Sequence, residues 1–248
     1  MGFGYHGKLL EINLSSRKVT EKDIPEQDYR DYLGGSGLSA KLFLERGYYE
    51  PDPLSEQAAL MVFSGTLTGL NVPTACKGVF CGKSPATGIW AEATVGGRWP
   101  ADFKTCGYDG IIITGKADRP VYLYFGEQGL EFKDATDLWG EDTYVAQEKI
   151  QEELGEKVNT ASIGPAGENQ VLIASIIIDG QDSRAAGRCG LGAVMGSKNL
   201  KAIAVQPSGP SPAIFDSQGL AEARRKALPK IREKARGLTD FGTAGGVT

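Results

Sequence analysis

Apolar residues recur along this chain at two spacings, and most of them follow the shorter one. Alternation over residues 7–14 and 19–24, around the turn Ser15-Ser-Arg-Lys18, predicts a β-hairpin. Apolar runs of strand length at 59–64, 111–114, 121–125, 130–132, 159–163, 171–178 and 200–205 predict further strands. Gly164-Pro-Ala-Gly-Glu-Asn169 reads as the turn between two of them. Helical spacing predicts helices over 29–33 and 38–45, parted by Gly34-Gly35-Ser36-Gly37. It also predicts one over 141–154, where Val145, Ile150 and Leu154 form the apolar face and Glu148, Lys149, Gln151, Glu152 and Glu153 the solvated one. Runs of strand length outnumber those of helical spacing.

The pattern changes after Val205. Gln206-Pro-Ser-Gly-Pro-Ser-Pro212 has linker composition, and Asp216 or Ser217 can cap a helix running to about residue 236 with an interruption at Pro229. The expected organisation is a domain over 1–206, a linker over 207–215 and a helix-bearing segment over 216–248. Arg224, Arg225, Lys226, Lys230, Arg232, Lys234 and Arg236 make that helix basic, but no base-reading or stacking residues accompany them. A solvated face is therefore expected, and no nucleic-acid partner. A net charge of -4 gives no general affinity for nucleic acid or anionic membrane. The longest apolar run, 171–178, contains Ser175 and is too short to cross a bilayer. The N-terminus lacks an apolar leader core, which predicts a cytoplasmic location.

Candidate chemistry concentrates between Asp179 and Val205. There Arg184 and Arg188 sit among Gly187, Gly190, Gly192 and Gly196, ahead of a short apolar turn at 191–195 and the run 200–205. Glycines let a backbone bend and approach a ligand, and the arginines offer forked donors to phosphate oxygens. The stretch lacks the lysine and hydroxyl of a P-loop. A second segment about 90 residues earlier repeats its order of parts: the glycine-rich turn at Thr94, Gly96 and Gly97, then Arg98, a short helix-like piece, a polar corner and an apolar strand. Two such units predict a pseudo-symmetric domain with two facing loops, suited to a ligand that is itself two-fold or carries two phosphate groups.

The other reactive side chains carry less. Cys76 and Cys81 are four residues apart but no third cysteine follows closely, and Cys106 and Cys189 stand singly, so no iron–sulfur cluster is expected from these four. Trp90 and Trp99 read as packing residues. His6, the one histidine, lies at an N-terminus expected to be flexible and is given no catalytic role.

Several motifs, in order along residues 5–206, resemble the aldehyde ferredoxin oxidoreductases. They are Tyr32-Leu-Gly-Gly-Ser-Gly-Leu38, Ser64-Gly-Thr-Leu-Thr-Gly69, Val72-Pro-Thr74, Lys83-Ser-Pro85, Gly107-Tyr-Asp109, Ala161-Ser-Ile-Gly-Pro-Ala-Gly-Glu-Asn169, Arg184-Ala-Ala-Gly-Arg188 and Gly192-Ala-Val-Met-Gly-Ser-Lys-Asn-Leu-Lys-Ala202. The resemblance implies an N-terminal domain of α+β class, mainly β, built as two related halves and forming the base for a tungsten bis-pterin cofactor (tungstopterin), with 216–248 as the first helix and incomplete start of the next, helical domain. It implies that the domain holds the pterin phosphates and a bridging Mg2+, through basic side chains and backbone carbonyls. On the matching positions, Arg184 and Ala185 serve in the second half, with Gly187 and Arg188 beside them. Lys77, Thr94, Gly96 and Gly97 serve in the first, the carbonyls of Thr94 and Ala185 being the Mg2+ ligands. Lys77 stands where several relatives have arginine and Thr94 where they have asparagine; lysine keeps the charge but loses the bidentate fork. Lys77 as an ordinary strand-edge charge and Arg188 as partner of a scaffold carboxylate are the competing readings.

No catalytic side chain is assigned. The resemblance further implies that the complete enzyme, more than twice as long, oxidises aldehydes to carboxylic acids. It would pass electrons through a 4Fe–4S cluster, with ligands outside this chain, to ferredoxin, and could be a homo-oligomer. The alternatives are the tungsten subunit of an aromatic acyl-CoA reductase and a non-catalytic cofactor-binding module.

Overall fold

Two hairpins, each followed by helical chain and then by three strands and a short helix, organise the computed structural model, which describes residues 2–246. The first residue of the expected domain and the last two of the expected C-terminal segment lie outside the described residues. In the first half, β1 (Lys8–Asn13) and β2 (Lys18–Asp23) pair as predicted. They are followed by α1 (Glu26–Tyr32), α2 (Gly35–Glu45), β3 (Leu60–Ser64), β4 (Gly78–Lys83), β5 (Trp90–Val95), α3 (Trp99–Thr105) and β6 (Gly110–Thr114). The second half has β7 (Val121–Gly126), β8 (Gly129–Asp134), α4 (Thr143–Leu154), β9 (Asn159–Ser162), α5 (Pro165–Glu168), β10 (Ile176–Ile178), β11 (Arg184–Ala186), α6 (Leu191–Ser197) and β12 (Leu200–Val205).

Each half builds a six-stranded mixed sheet, and the two strand orders superpose: β2-β1-β6-β3-β4-β5 against β8-β7-β12-β9-β10-β11. In both, the last strand returns to lie parallel to the first (β6 on β1, β12 on β7) and antiparallel to the third. The predicted two-half α+β arrangement is thus present at the level of connectivity.

Strand alternation places the core. Leu60, Val62, Ile111 and Ile113 of the first sheet meet Leu123, Phe125, Ile203 and Val205 of the second in one apolar layer, and α3 and α6 insert Trp99, Phe103, Leu191, Val194 and Met195 into it. The alternate residues, such as Met61, Phe63 and Ile112, face outward under α1 and α2. Tyr122, Tyr124, Ala202 and Ala204 pack with Ile150 of α4. The layers therefore run helix, sheet, sheet, helix.

Several local readings are corrected. The run 171–178 is a strand only at Ile176–Ile178; Val171, Leu172 and Ile173 are exposed in the preceding turn, so an apolar run of strand length did not mean a buried strand. The expected turn at 164–169 contains the helical turn α5, opened by Pro165 at its first position. The break between α1 and α2 falls at Leu33 and Gly34, both left-handed, while Gly35 and Gly37 lie inside α2. The strands β4 and β5 escaped the apolar pattern because their inward positions include the small residues Ala91 and Ala93, and β4 carries two glycines. After Val205, α7 (Ser217–Lys234) is capped by Asp216 and runs continuously through Pro229, with α8 (Arg236–Phe241) following. Neither helix buries a residue. Among the described residues no helix is long and apolar enough to cross a membrane.

Candidate functional site

β5 and β11 are the outermost strands of their sheets, on corresponding edges, and they lie against each other. An edge strand carries one row of main-chain N–H and C=O groups without a strand partner. Two such rows meeting where corresponding edges of the two halves touch make a polar seam open to solvent, with Thr94, Ala185, Gly187 and Arg188 exposed along it. A cleft of about 520 Å3 opens there, lined by Glu92, Ala93, Thr94, Ala185, Gly187 and Arg188.

Thr94, Ala185, Gly187 and Arg188 are thus brought into one cleft from two sequence regions about 90 residues apart. Gly96 and Gly97 continue from β5 directly beyond it. Arg184 precedes Ala185 on β11; it is exposed, and its Nη1 donates to the Ser183 carbonyl at 3.1 Å. Its place on a strand differs from the glycine-turn position expected from sequence. Lys77, expected at the edge of the cleft, is exposed just before β4, with its Cδ 4.0 Å from where a Cβ on Gly96 would stand. Its carbonyl accepts from Gly65 N (3.2 Å) and Thr68 Oγ1 (2.6 Å), fixing the loop that carries it.

Glu92 was not singled out from sequence. It shares the outward face of β5 with Thr94, which the alternation Trp90, Glu92, Thr94 against Ala91, Ala93, Val95 could have indicated. Its Oε1 accepts from Ser36 Oγ at 2.7 Å and Thr94 Oγ1 at 3.4 Å. The cleft therefore presents a cation at Arg188, a hydrogen-bonded carboxylate, and edge carbonyls. That donor set suits phosphate oxygens on one side and a hard metal ion on the other.

The glycines divide by purpose. Gly187 lies in the cleft, but Gly192 and Gly196 serve packing: a Cβ on Gly192 would stand 2.6 Å from Ser175 O, and one on Gly196 would stand 1.9 Å from Gly167 O of α5. The expectation that they approach a ligand is corrected accordingly. Trp99 stacks on Phe103 at 5.4 Å and donates from Nε1 to the Ile203 carbonyl at 2.9 Å, across the two halves. Trp90 packs edge-on against Phe43 at 4.8 Å. Both act in packing.

Buried charges brace the surroundings. Lys104 Nζ donates to Gly65 O (3.0 Å) and makes an ion contact with Asp109 Oδ1 at 2.8 Å, without hydrogen-bond alignment. Burial pushes the Lys104 ammonium down, opposed by Asp109. Burial also raises the Asp109 carboxyl, but Lys104 and the Tyr29 hydroxyl outweigh it and hold it below the ordinary value. Asp109 Oδ2 accepts from the amides of His6 (2.9 Å) and Gly7 (2.6 Å), so the N-terminal segment is tied down rather than flexible. His6 Nε2 is buried without a partner, and burial lowers its pKa. The four cysteines are free; burial pushes the Cys106 thiol up to about 12, and that of Cys81 further. Among the described residues no three His, Cys, Asp or Glu side chains cluster as a metal site.

Residues 9–207 match the family model described as the aldehyde ferredoxin oxidoreductase N-terminal domain. Over 98% of its length the chain is 42% identical to the tungsten-containing aldehyde ferredoxin oxidoreductase of Pyrococcus furiosus, covering 40% of that protein. It is 40% identical to the protein of the same name from Pyrococcus horikoshii, with the same coverage. It therefore spans about two fifths of the length of these curated relatives. Among solved structures it is similar to the active-site complex BamBC of benzoyl coenzyme A reductase in complex with 1,5-dienoyl-CoA, with a TM-score of 0.90 and 32% identity over 95% of this chain and 36% of that one. The chain belongs to the aldehyde ferredoxin oxidoreductase family and carries its N-terminal domain.

Proposed function

We propose that this chain is the cofactor base of a tungsten oxidoreductase that oxidises aldehydes to carboxylic acids with ferredoxin as electron acceptor. The observation that carries the proposal is the cleft where β5 and β11 meet, because it brings Thr94, Ala185, Gly187 and Arg188 together from two pseudo-equivalent halves. Arg188 and Arg184 would hold the phosphate oxygens of the two pterins, and Lys77 would add a point charge near Gly96. The carbonyls of Thr94 and Ala185 would hold the Mg2+, a contact that would not depend on side-chain identity at position 94. When bound, the tungsten bis-pterin supplies the two-electron chemistry between aldehyde and acid. This chain contributes orientation and charge. The 4Fe–4S cluster and the substrate pocket belong to chain outside it, and 1–206, 207–215 and 216–248 divide it into cofactor domain, linker and the start of a helical domain.

The test is cofactor retention in the full-length protein. Arg188→Ala and Arg184→Ala should each lower tungsten and pterin content, since losing a charge-assisted phosphate contact costs about 1.5–3 kcal/mol. Arg225→Ala on α7 should leave it unchanged. Equal content in all three variants would remove the arginines from the site. A second reading, an aromatic acyl-thioester reductase subunit, is favoured by the fold match to the benzoyl coenzyme A reductase complex. It would be supported by turnover of an aromatic acyl-CoA and not of aldehydes by the full-length protein.

A further inference from the structure

We propose that Asp179 and Ser84 are positioning residues, each reaching out of one half to fix the cofactor-facing loop of the other. The inference rests on the cofactor reading of the cleft and adds residues that do not line it. The two occupy pseudo-equivalent places: Ser84 directly follows β4, Asp179 directly follows β10, and β4 and β10 are the next-to-edge strands of their sheets.

Their contacts are reciprocal. Asp179 Oδ2 accepts from Arg98 N at 2.6 Å and Oδ1 from Trp99 N at 3.0 Å, so a second-half carboxylate holds the chain between β5 and α3 in the first half. Ser84 Oγ donates to the Cys189 carbonyl at 2.9 Å, so a first-half hydroxyl holds the chain between β11 and α6 in the second. Both anchors are themselves fixed. Asp179 is nearly buried and its amide donates to Thr160 O at 3.2 Å; Ser84 is fully buried and its Oγ accepts from Ala86 N (3.2 Å) and Thr87 N (3.1 Å).

The loops they hold have little freedom to be held otherwise. Gly97 has φ of 105°, and a Cβ there would stand 2.1 Å from Asp179 Oδ2, so glycine is what admits the carboxylate. Cys189 and Gly190 are both left-handed, and a Cβ on Gly190 would meet Leu172 O at 1.8 Å and Pro85 Cγ, next to Ser84, at 3.2 Å. Thr94 lies two residues before Gly96, and Arg188 directly before Cys189. The crossed clasp thus sets how far apart the two groups of ligating residues stand, which edge strands without a ladder between them do not do alone. A ligand with two phosphate-bearing arms needs that spacing held to a few tenths of an ångström.

The experiment uses the full-length protein and two readouts: tungsten and pterin per polypeptide after gel filtration, and amide hydrogen exchange. Asp179→Ala should cut cofactor content about tenfold, the scale on which orienting partners act, and Ser84→Ala should cut it in the same direction. Exchange should quicken across halves, at 96–99 for Asp179→Ala and at 187–190 for Ser84→Ala, while the sheets stay protected. Asp179→Asn, which tolerates the left-handed backbone and keeps one accepting oxygen but turns an NH2 donor toward the other amide, should restore only part of the content. Wild-type content in Asp179→Ala alongside loss in Arg188→Ala would overturn the positioning role and leave the cofactor reading intact. Wild-type content in both Arg188→Ala and Arg184→Ala would overturn the reading itself. Exchange rising over both sheets, or without the crossed pattern, would overturn the clasp.

Discussion

Lys198 offers a test of how the halves are joined. Its side chain has no solvent exposure, and Nζ donates to Ala58 O at 2.6 Å, Gly115 O at 3.4 Å and Glu56 O at 3.5 Å, all in the first half or the chain leaving it. Burial pushes its pKa down to about 8, with Glu56 opposing. Below that value both folded and unfolded chains carry the proton. Between it and the ordinary lysine value the unfolded chain keeps the proton that the folded chain has lost, so stability from this group rises with pH. Integrated from pH about 7.5 to about 10, the gain is about 2–3 kcal/mol. Other groups run the opposite way: Tyr29 and Tyr122, raised by burial, favour unfolding as pH climbs. Comparison with Lys198→Met, which keeps the aliphatic stem and all those tyrosines, isolates the lysine. Urea unfolding followed by tryptophan fluorescence should show the wild-type advantage over the variant widening by that amount across the range. A gap that is constant or narrows with pH would refute the reasoning.

Three further outcomes are expected. Gly196→Ala should destabilise the chain by at least about 1–3 kcal/mol in the same assay, since the new methyl meets the Gly167 carbonyl, which is backbone and cannot step aside. Lys201→Met should cost about 3–5 kcal/mol, because it strands the buried Glu168 carboxylate and the Glu141 carbonyl, and adding Glu168→Gln should recover part of the loss in denaturant midpoints. Limited proteolysis should cut within 206–216 and leave a resistant fragment ending near Val205, with mass spectrometry of the fragments as the check; cleavage inside the sheets first would count against that boundary.

The elements legible in the sequence were those whose packing is one-sided or wholly apolar. The hairpin β1 and β2, and strands such as Ile111 to Thr114, sit where alternation or an isoleucine run leaves little choice. The repeat of glycine turn, arginine, short helix and strand was legible as well, because both halves follow one connectivity. What was not legible depended on contacts distant in sequence. Ala91 and Ala93 carry no hydrophobic signal, yet they are buried because a second sheet lies over them. Val171 to Ile173 carry a strong one and stay mostly exposed. At the site, the repeat indicated Thr94 and Arg188, but Asp179 read as part of a turn, since nothing in Asp-Gly tells which distant amides the carboxylate will meet.

The returning strands have a consequence for the order in which the molecule can be made. β6 closes the first sheet beside β1 only about a hundred residues after β1 is made, and β12 closes the second beside β7 about 80 residues after β7. The indole of Trp99 has its carbonyl partner at Ile203, 104 positions later, and β5 meets β11 only when the second half is in place. A nascent chain halted after the first half would hold a sheet with an uncovered inner face and one lip of the cleft. The second lip arrives only with β11, so the cleft is complete once residues to Val205 have left the ribosome.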